Sequence, residues 1–210
     1  MMDEQPAGNL VDGITFLAEV NGLLGRDTLH CLQRCVEIGS KLDPAIDVES
    51  DEDYQFWIRT LIRTFFAHVE GLTYAMRQLA IAANESGVLA LAAEEVLLLR
   101  ELEYRVDVDR KEIRSRPKQN RVLENVFLAF HCFPRVFGVS FAPEYGNNGW
   151  NLFQRSLKLR HSLTHPKDRE ALAVGRQVAI EVTDSFQWFG NQVQNLLSAC
   201  RAASLGGASP

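Results

Sequence analysis

The chain has 210 residues and a mass of 23.6 kDa, with 46% hydrophobic and 23% charged side chains, the ordinary balance of a folded globular protein. A net charge of −5 excludes a generally basic nucleic-acid coat protein, and 14 glycines with 7 prolines are too few for a turn-rich all-β fold. A chain of this length buries enough apolar surface to need no disulfide or metal staple.

Residues from about Leu10 to Leu42 carry a helical apolar pattern, either one long helix or two shorter ones interrupted at Gly22 and Gly25. Tyr54 to Ala83 repeats apolar residues in steps of three and four (Trp57, Leu61, Phe65, His68, Leu72, Met76, Leu79), with a second stripe beside the first. This helix is apolar on more than half its circumference, which predicts a central position. Ser86-Gly87 ends it, and Val88 to about Tyr104 reads as the next helix. Tyr104–Asp109 alternates but is too brief for a sheet, and Asp109–Gln119 reads as an exposed basic loop. Val122–Phe137 predicts a helix kinked at Pro134, with Phe127, Phe130 and Phe133 inward. Asn147-Asn148-Gly149 starts a helix running to Thr164. Leu172 to about Ala203 makes the last, with Trp188-Phe189 in the core. Pro44, Pro117, Pro134, Pro143 and Pro166 punctuate this pattern. The expectation is an all-α bundle of five to seven helices. Its parts are an acidic N-terminal helical segment (residues 1–50) packing on the bundle, the bundle itself (51–203), and a frayed tail (204–210).

Cys31, Cys35, Cys132 and Cys200 form no paired framework, and the N-terminus has no signal pattern, so a reducing cytoplasmic setting is expected. The longest uncharged apolar run, Val88–Ala93, is far short of a membrane span. Phosphate-loop, dinucleotide, nucleophile-elbow and EF-hand signatures are missing. His161-Ser-Leu-Thr-His165 has the two-histidine spacing of a zinc-protease helix. Ser162 stands where the general-base Glu belongs and Pro166 follows at once, so no metal or cofactor is expected there. His68 and His131 read as satisfied core histidines.

Charge is unevenly spread. Residues 1–52 hold eleven acidic side chains against three basic, a net of −8, while residues 155–169 and 109–121 each carry a net of +4. A solvated helix face accounts for either basic run in the simplest reading. The run 155–169 contains Arg160, His161 and His165, and Pro166 biases His165 away from helical geometry. Arg160 and His165 are thereby expected at a helix C-terminus, where exposed carbonyls favour cations. A guanidinium grips phosphate through paired donors, and an imidazole moves protons near neutral pH. Together they are tools for cutting RNA without a metal. The alternative for Arg160 and His165 is a structural cap paired with acidic neighbours, and for His161 a half-buried, hydrogen-bonded side chain.

Arg160-x4-His165 followed by Pro166, late in a helical chain, resembles the HEPN (higher eukaryote and prokaryote nucleotide-binding) family. The aromatic helix at 121–138, Gly149-Trp150 and Trp188-Phe189 resemble small bacterial proteins of that kind, over roughly residues 50–200. The resemblance implies a homodimer in which two such motifs face each other. It also implies metal-independent endoribonuclease activity of a toxin or defence type, leaving a 2′,3′-cyclic phosphate. Arg160 would hold the scissile phosphate, His165 would transfer a proton, and His161, where most members carry Asn, would orient or assist. Lys158, Lys167 and Arg155 would help bind RNA, and Glu70 corresponds loosely to an acidic residue supporting the Arg. Glu70 is otherwise an ion-pair partner or a solvated side chain. An antitoxin or other protein is a further expected partner, and the acidic N-terminal segment would shield the basic site. Other members have lost activity, so a non-catalytic dimerisation, interaction or nucleotide-binding module is the alternative.

Overall fold

The computed structural model describes residues 6–42 and 48–206, with side chains over 12–42 and 48–205. Pro44 and residues 207–210 of the expected tail lie outside them. The fold is all-α. Among the described residues there are six α-helices, α1 (Pro6–Gly39), α2 (Glu52–Glu85), α3 (Ala93–Leu99), α4 (Val122–Cys132), α5 (Asn148–Thr164) and α6 (Arg176–Gly206). One antiparallel hairpin, β1 (Leu102–Asp107) and β2 (Glu112–Pro117), accompanies them. The chain divides into two compact units that do not follow chain order. The first comprises residues 1–18, 70–142 and 196–210, and the second comprises 19–69 and 143–195.

α1 is a single helix, not two. Ile14, Leu17, Thr28, Cys31 and Cys35 are buried at helical spacing along it. A helical glycine costs only about 1 kcal/mol relative to alanine, less than this burial returns. Gly25 has a packing reason, since a Cβ there would sit 3.6 Å from His68 Cε1.

In the first unit, Ala80 and Ala83 of α2 pack with Leu89, Leu99 of α3, and Leu128, Cys132 and Val136. The helix expected over Val88–Tyr104 shrinks to α3. Glu95 Oε2 accepts the Ala92 N–H at 2.9 Å and starts it, and Glu101, at φ 53°, leaves the helical region and turns the chain into β1. β1 does form a sheet, because the connector read as a loop supplies its partner. Leu102 faces Pro117 and Asp107 faces Glu112, with a four-residue turn in which Asp107 Oδ1 accepts the Arg110 N–H at 3.1 Å. The hairpin base is closed by Lys118 N–H donating to Glu101 O at 2.7 Å. It is pinned by buried Arg77, which donates to Glu101 (3.3 Å) and to Asn125 Oδ1. Burial alone would raise the Glu101 carboxyl. Hydrogen bonds from Asn125 and Arg77 outweigh it and hold the group below its ordinary range.

α4 stops at Cys132 instead of kinking, because Pro134 removes a donor and the chain tightens into a 3-10 turn over Pro134–Phe137. Phe127 is half exposed rather than inward, stacked on His131 with ring centroids 5.6 Å apart. His131 is likewise no core residue, since its exposed ring meets Glu95 Oε1 at 3.1 Å beside Arg135.

In the second unit, α2, α5 and α6 pack around Phe65, Phe66, Phe153 and Phe189, all fully buried with ring centroids 4.8–6.2 Å apart. Trp188 is also buried, so the aromatic pair expected in the core is there. His68 is buried, with Nε2 2.9 Å from Asn21 Oδ1, and burial lowers its pKa to about 4. α5 begins as expected, with Asn147 Oδ1 accepting the Trp150 N–H at 3.0 Å. α6 begins later than expected and runs through Gly206. Residues 170–172 make a separate 3-10 turn, and Val174 is held extended by Gln55, which accepts its N–H and donates to its carbonyl, each at 2.9 Å.

All four cysteines are buried and unpaired. Burial pushes the Cys35 and Cys200 thiols up to about 12 and that of Cys132 up to about 11. No described helix is long and apolar enough to cross a membrane.

Candidate functional site

The Arg160–His165 segment forms the last turn of α5 and its exit. Leu163 is buried and fixes the helix against the second unit, which leaves Ser162, Thr164 and both histidines exposed and Arg160 half-buried. His165 leaves the helix at φ −128°, ψ 65° while its N–H still donates to His161 O at 2.9 Å. One turn apart, the two imidazoles come together, with centroids 5.0 Å apart and planes inclined by 58°.

Hydroxyls of the last turn of α5 bond back to carbonyls one turn earlier. Thr164 Oγ1 donates to Arg160 O at 2.8 Å and Ser162 Oγ to Lys158 O at 3.2 Å. Leu163 O is approached by Arg63 Nη2 of α2 at 3.5 Å. One turn earlier on α2, Arg59 Nη1 donates to Leu172 O at 3.2 Å. A further guanidinium, that of Arg63, therefore stands at this end of α5, Arg59 holds the 3-10 turn that follows, and the sequence reading missed both. Their signal was arginine at i and i+4 on the single polar strip of an otherwise apolar helix.

Lys158 and Lys167 are exposed. Arg155 is less available, because its Nε lies 3.3 Å from Glu181 Oε2 of α6. Asp168, the one carboxylate within the basic run, accepts the Ala171 N–H at 2.8 Å and caps the 3-10 turn. Glu70 is half-buried on α2 within the first unit. Among the described residues, no group of three His, Cys, Asp or Glu side chains is placed to hold a metal ion.

The two ends of α5 differ in charge. Its N-terminus opens on a cleft of about 590 Å³ lined largely by carboxamides, among them Asn147, Asn148, Asn191 and Gln192, together with Glu144 and Asp184 and without a lining cation. Side-chain charge thus favours an anion at the C-terminal cluster over this cleft.

No protein-family model matches the chain, and neither a curated protein nor a solved structure is found to be similar to it.

Proposed function

We propose that the protein is a metal-independent endoribonuclease of the HEPN kind, acting in the cytoplasm as a toxin-like or defence-like homodimer. The observation that carries this reading is the pairing of two exposed imidazoles, 5.0 Å apart, at the helix end whose last turns hold Arg160 and which Arg63 reaches. In this reading Arg160 holds the nonbridging oxygens of an RNA phosphate, with Arg63, Lys158 and Lys167 supplying further positive charge. His165 takes the proton from the neighbouring ribose 2′-OH, and that oxygen attacks phosphorus. The bond to the 5′-oxygen breaks, and His161 in its protonated form delivers a proton to the departing alkoxide. The products are a 2′,3′-cyclic phosphate and a 5′-hydroxyl, and Arg160 stabilises the charge that builds between them.

The test is cleavage of a mixed single-stranded and structured RNA pool in EDTA, comparing the wild type with Arg160→Ala and His165→Ala. Wild type alone should cut and leave cyclic-phosphate ends, with both variants folded. No cutting, or equal cutting by all three, overturns the reading. The Arg155–Glu181 ion pair and the use of Arg63 as a helix cap favour a second one, a non-catalytic interaction module. RNA binding without cleavage, or binding of a protein partner abolished by Arg160→Ala, would establish that alternative.

A further inference from the structure

The hairpin in the first unit presents a face that no described residue covers. Strand alternation sorts its side chains, with Tyr104, Val106 and Ile113 on one face and Glu103, Arg105, Arg114 and Arg116 on the other. Val106 and Ile113 stand directly opposite each other, yet Tyr104, Val106 and Ile113 are 65%, 64% and 71% exposed. Isolated two-stranded ribbons are marginal in water, and an uncovered apolar edge strand is a template for pairing. The base of this one is nevertheless held by the Arg77–Glu101–Asn125 network around the buried Arg77, so β1 is presented in a fixed place.

On the polar face the charges are incompletely matched. Glu103 pairs across the ribbon with Arg116, and Glu112 pairs with Arg114. Arg105 faces Arg114, a like-charge pair, and no carboxylate among the described residues pairs with Arg105.

The strand sequence Leu102-Glu-Tyr-Arg-Val106 is complementary to itself when read antiparallel. With a twofold axis at Tyr104, Leu102 meets Val106 of a second copy, Glu103 meets Arg105, and Tyr104 meets Tyr104, and each unlike contact occurs twice. An axis at Arg105 sets Arg against Arg and Glu103 against Asp107. A one-residue slip turns the apolar face of one copy away from that of the other. β2 is the poorer edge, because Pro117 lacks a donor.

We propose that the outer edge of β1 is an interface with a second copy of this chain. Antiparallel β1–β1 pairing about Tyr104 makes one four-stranded sheet with a continuous apolar face. Arg105 then gains Glu103 of the second copy as its partner. The contact is isologous, as twofold association requires. It does not depend on the ribonuclease reading, because its residues lie outside the motif and its readout is mass rather than RNA cleavage.

The test uses full-length protein carrying Arg105→Glu or Glu103→Arg, followed by sedimentation across the micromolar range, with circular dichroism to check folding. Each change alone sets like charges opposite each other twice and should raise the concentration needed for association about tenfold. Where the wild type is associated, each variant should sediment with half its mass. An equimolar mixture of the two variants should regain the wild-type mass, because both cross-strand contacts then set a carboxylate of one variant against a guanidinium of the other. A wild type that does not associate overturns the proposal. So do variants that associate as well as the wild type, and a mixture no heavier than its components.

Discussion

Gly149 stands in the first turn of α5, pressed against Trp188 of α6. A Cβ built there would lie within 3.0 Å of three Trp188 atoms, Cδ1, Cγ and Cβ, the most distant at 2.8 Å, where carbon atoms ordinarily rest about 3.5–4.0 Å apart. Trp188 has little room to yield. It is 6% exposed, and its ring centroid lies 5.4 Å from that of Trp150 and 5.5 Å from that of Phe153. Overpacking a core of this kind costs about 1–3 kcal/mol, and alanine returns at most about 1 kcal/mol of helix preference at so terminal a position. Gly149→Ala should therefore destabilise the protein by about 1–2 kcal/mol, which for 210 residues lowers Tm by roughly 2–8 °C. Urea melts followed by tryptophan fluorescence and circular dichroism measure it, with an unchanged m-value showing that the native state alone is affected. In a Trp188→Ala background the same change should cost less, since Cγ and Cδ1, the two nearest obstructing atoms, are gone. Equal or greater stability of Gly149→Ala in the wild-type background would refute the close-approach argument.

Burial lowers the pKa of His68 to about 4 against 6.5 for the free side chain, so the fold holds it neutral while the unfolded chain binds a proton below 6.5. Its contribution is complete above 6.5 and is lost as the pH falls toward 4, a total of about 3 kcal/mol, and His68→Gln should remove that part of the slope in urea midpoints. Arg77→Met leaves Glu101 and Asn125 without their guanidinium and should cost about 2–3 kcal/mol. Amide exchange at Lys118, whose N–H closes the hairpin base, should accelerate with it. Because Glu101 is held below its ordinary range, its contribution is present above that range and fades as acid protonates it, and Arg77→Met should flatten that fall. Under the ribonuclease reading, Arg63→Ala should slow RNA cleavage about tenfold with folding intact, and Arg63→Lys should retain more of the rate. Equal rates in all three would remove Arg63 from the site.

What could be read from the sequence was what repeats locally. The α2 stripe, the Asn147 cap and the exit of α5 before Pro166 follow from spacing and residue type within a few positions. The hairpin escaped because half of Glu112–Pro117 is charged, and its strand identity comes from pairing with β1 rather than from its own pattern. Gly22 and Gly25 read as a break because a local rule cannot weigh a buried stripe that continues on both sides of them. The motif was visible as Arg160, His161 and His165. Arg63, a hundred residues before Leu163, reaches it only through packing of α2 on α5. Phe127 misled because an aromatic at a helical position reads as core unless its neighbour across the fold is known.

Four buried thiols make the chain its own clock for opening. Cys31 and Cys35 belong to the second unit, and Cys132 and Cys200 to the first. A cysteine locked inside a native fold reacts with an alkylating reagent only when its surroundings come apart. Mass spectrometry of partly labelled protein then separates two histories without any engineered probe. Labels arriving all together report one cooperative unfolding event. Labels arriving as a Cys31–Cys35 pair and a Cys132–Cys200 pair report two halves that breathe on separate schedules.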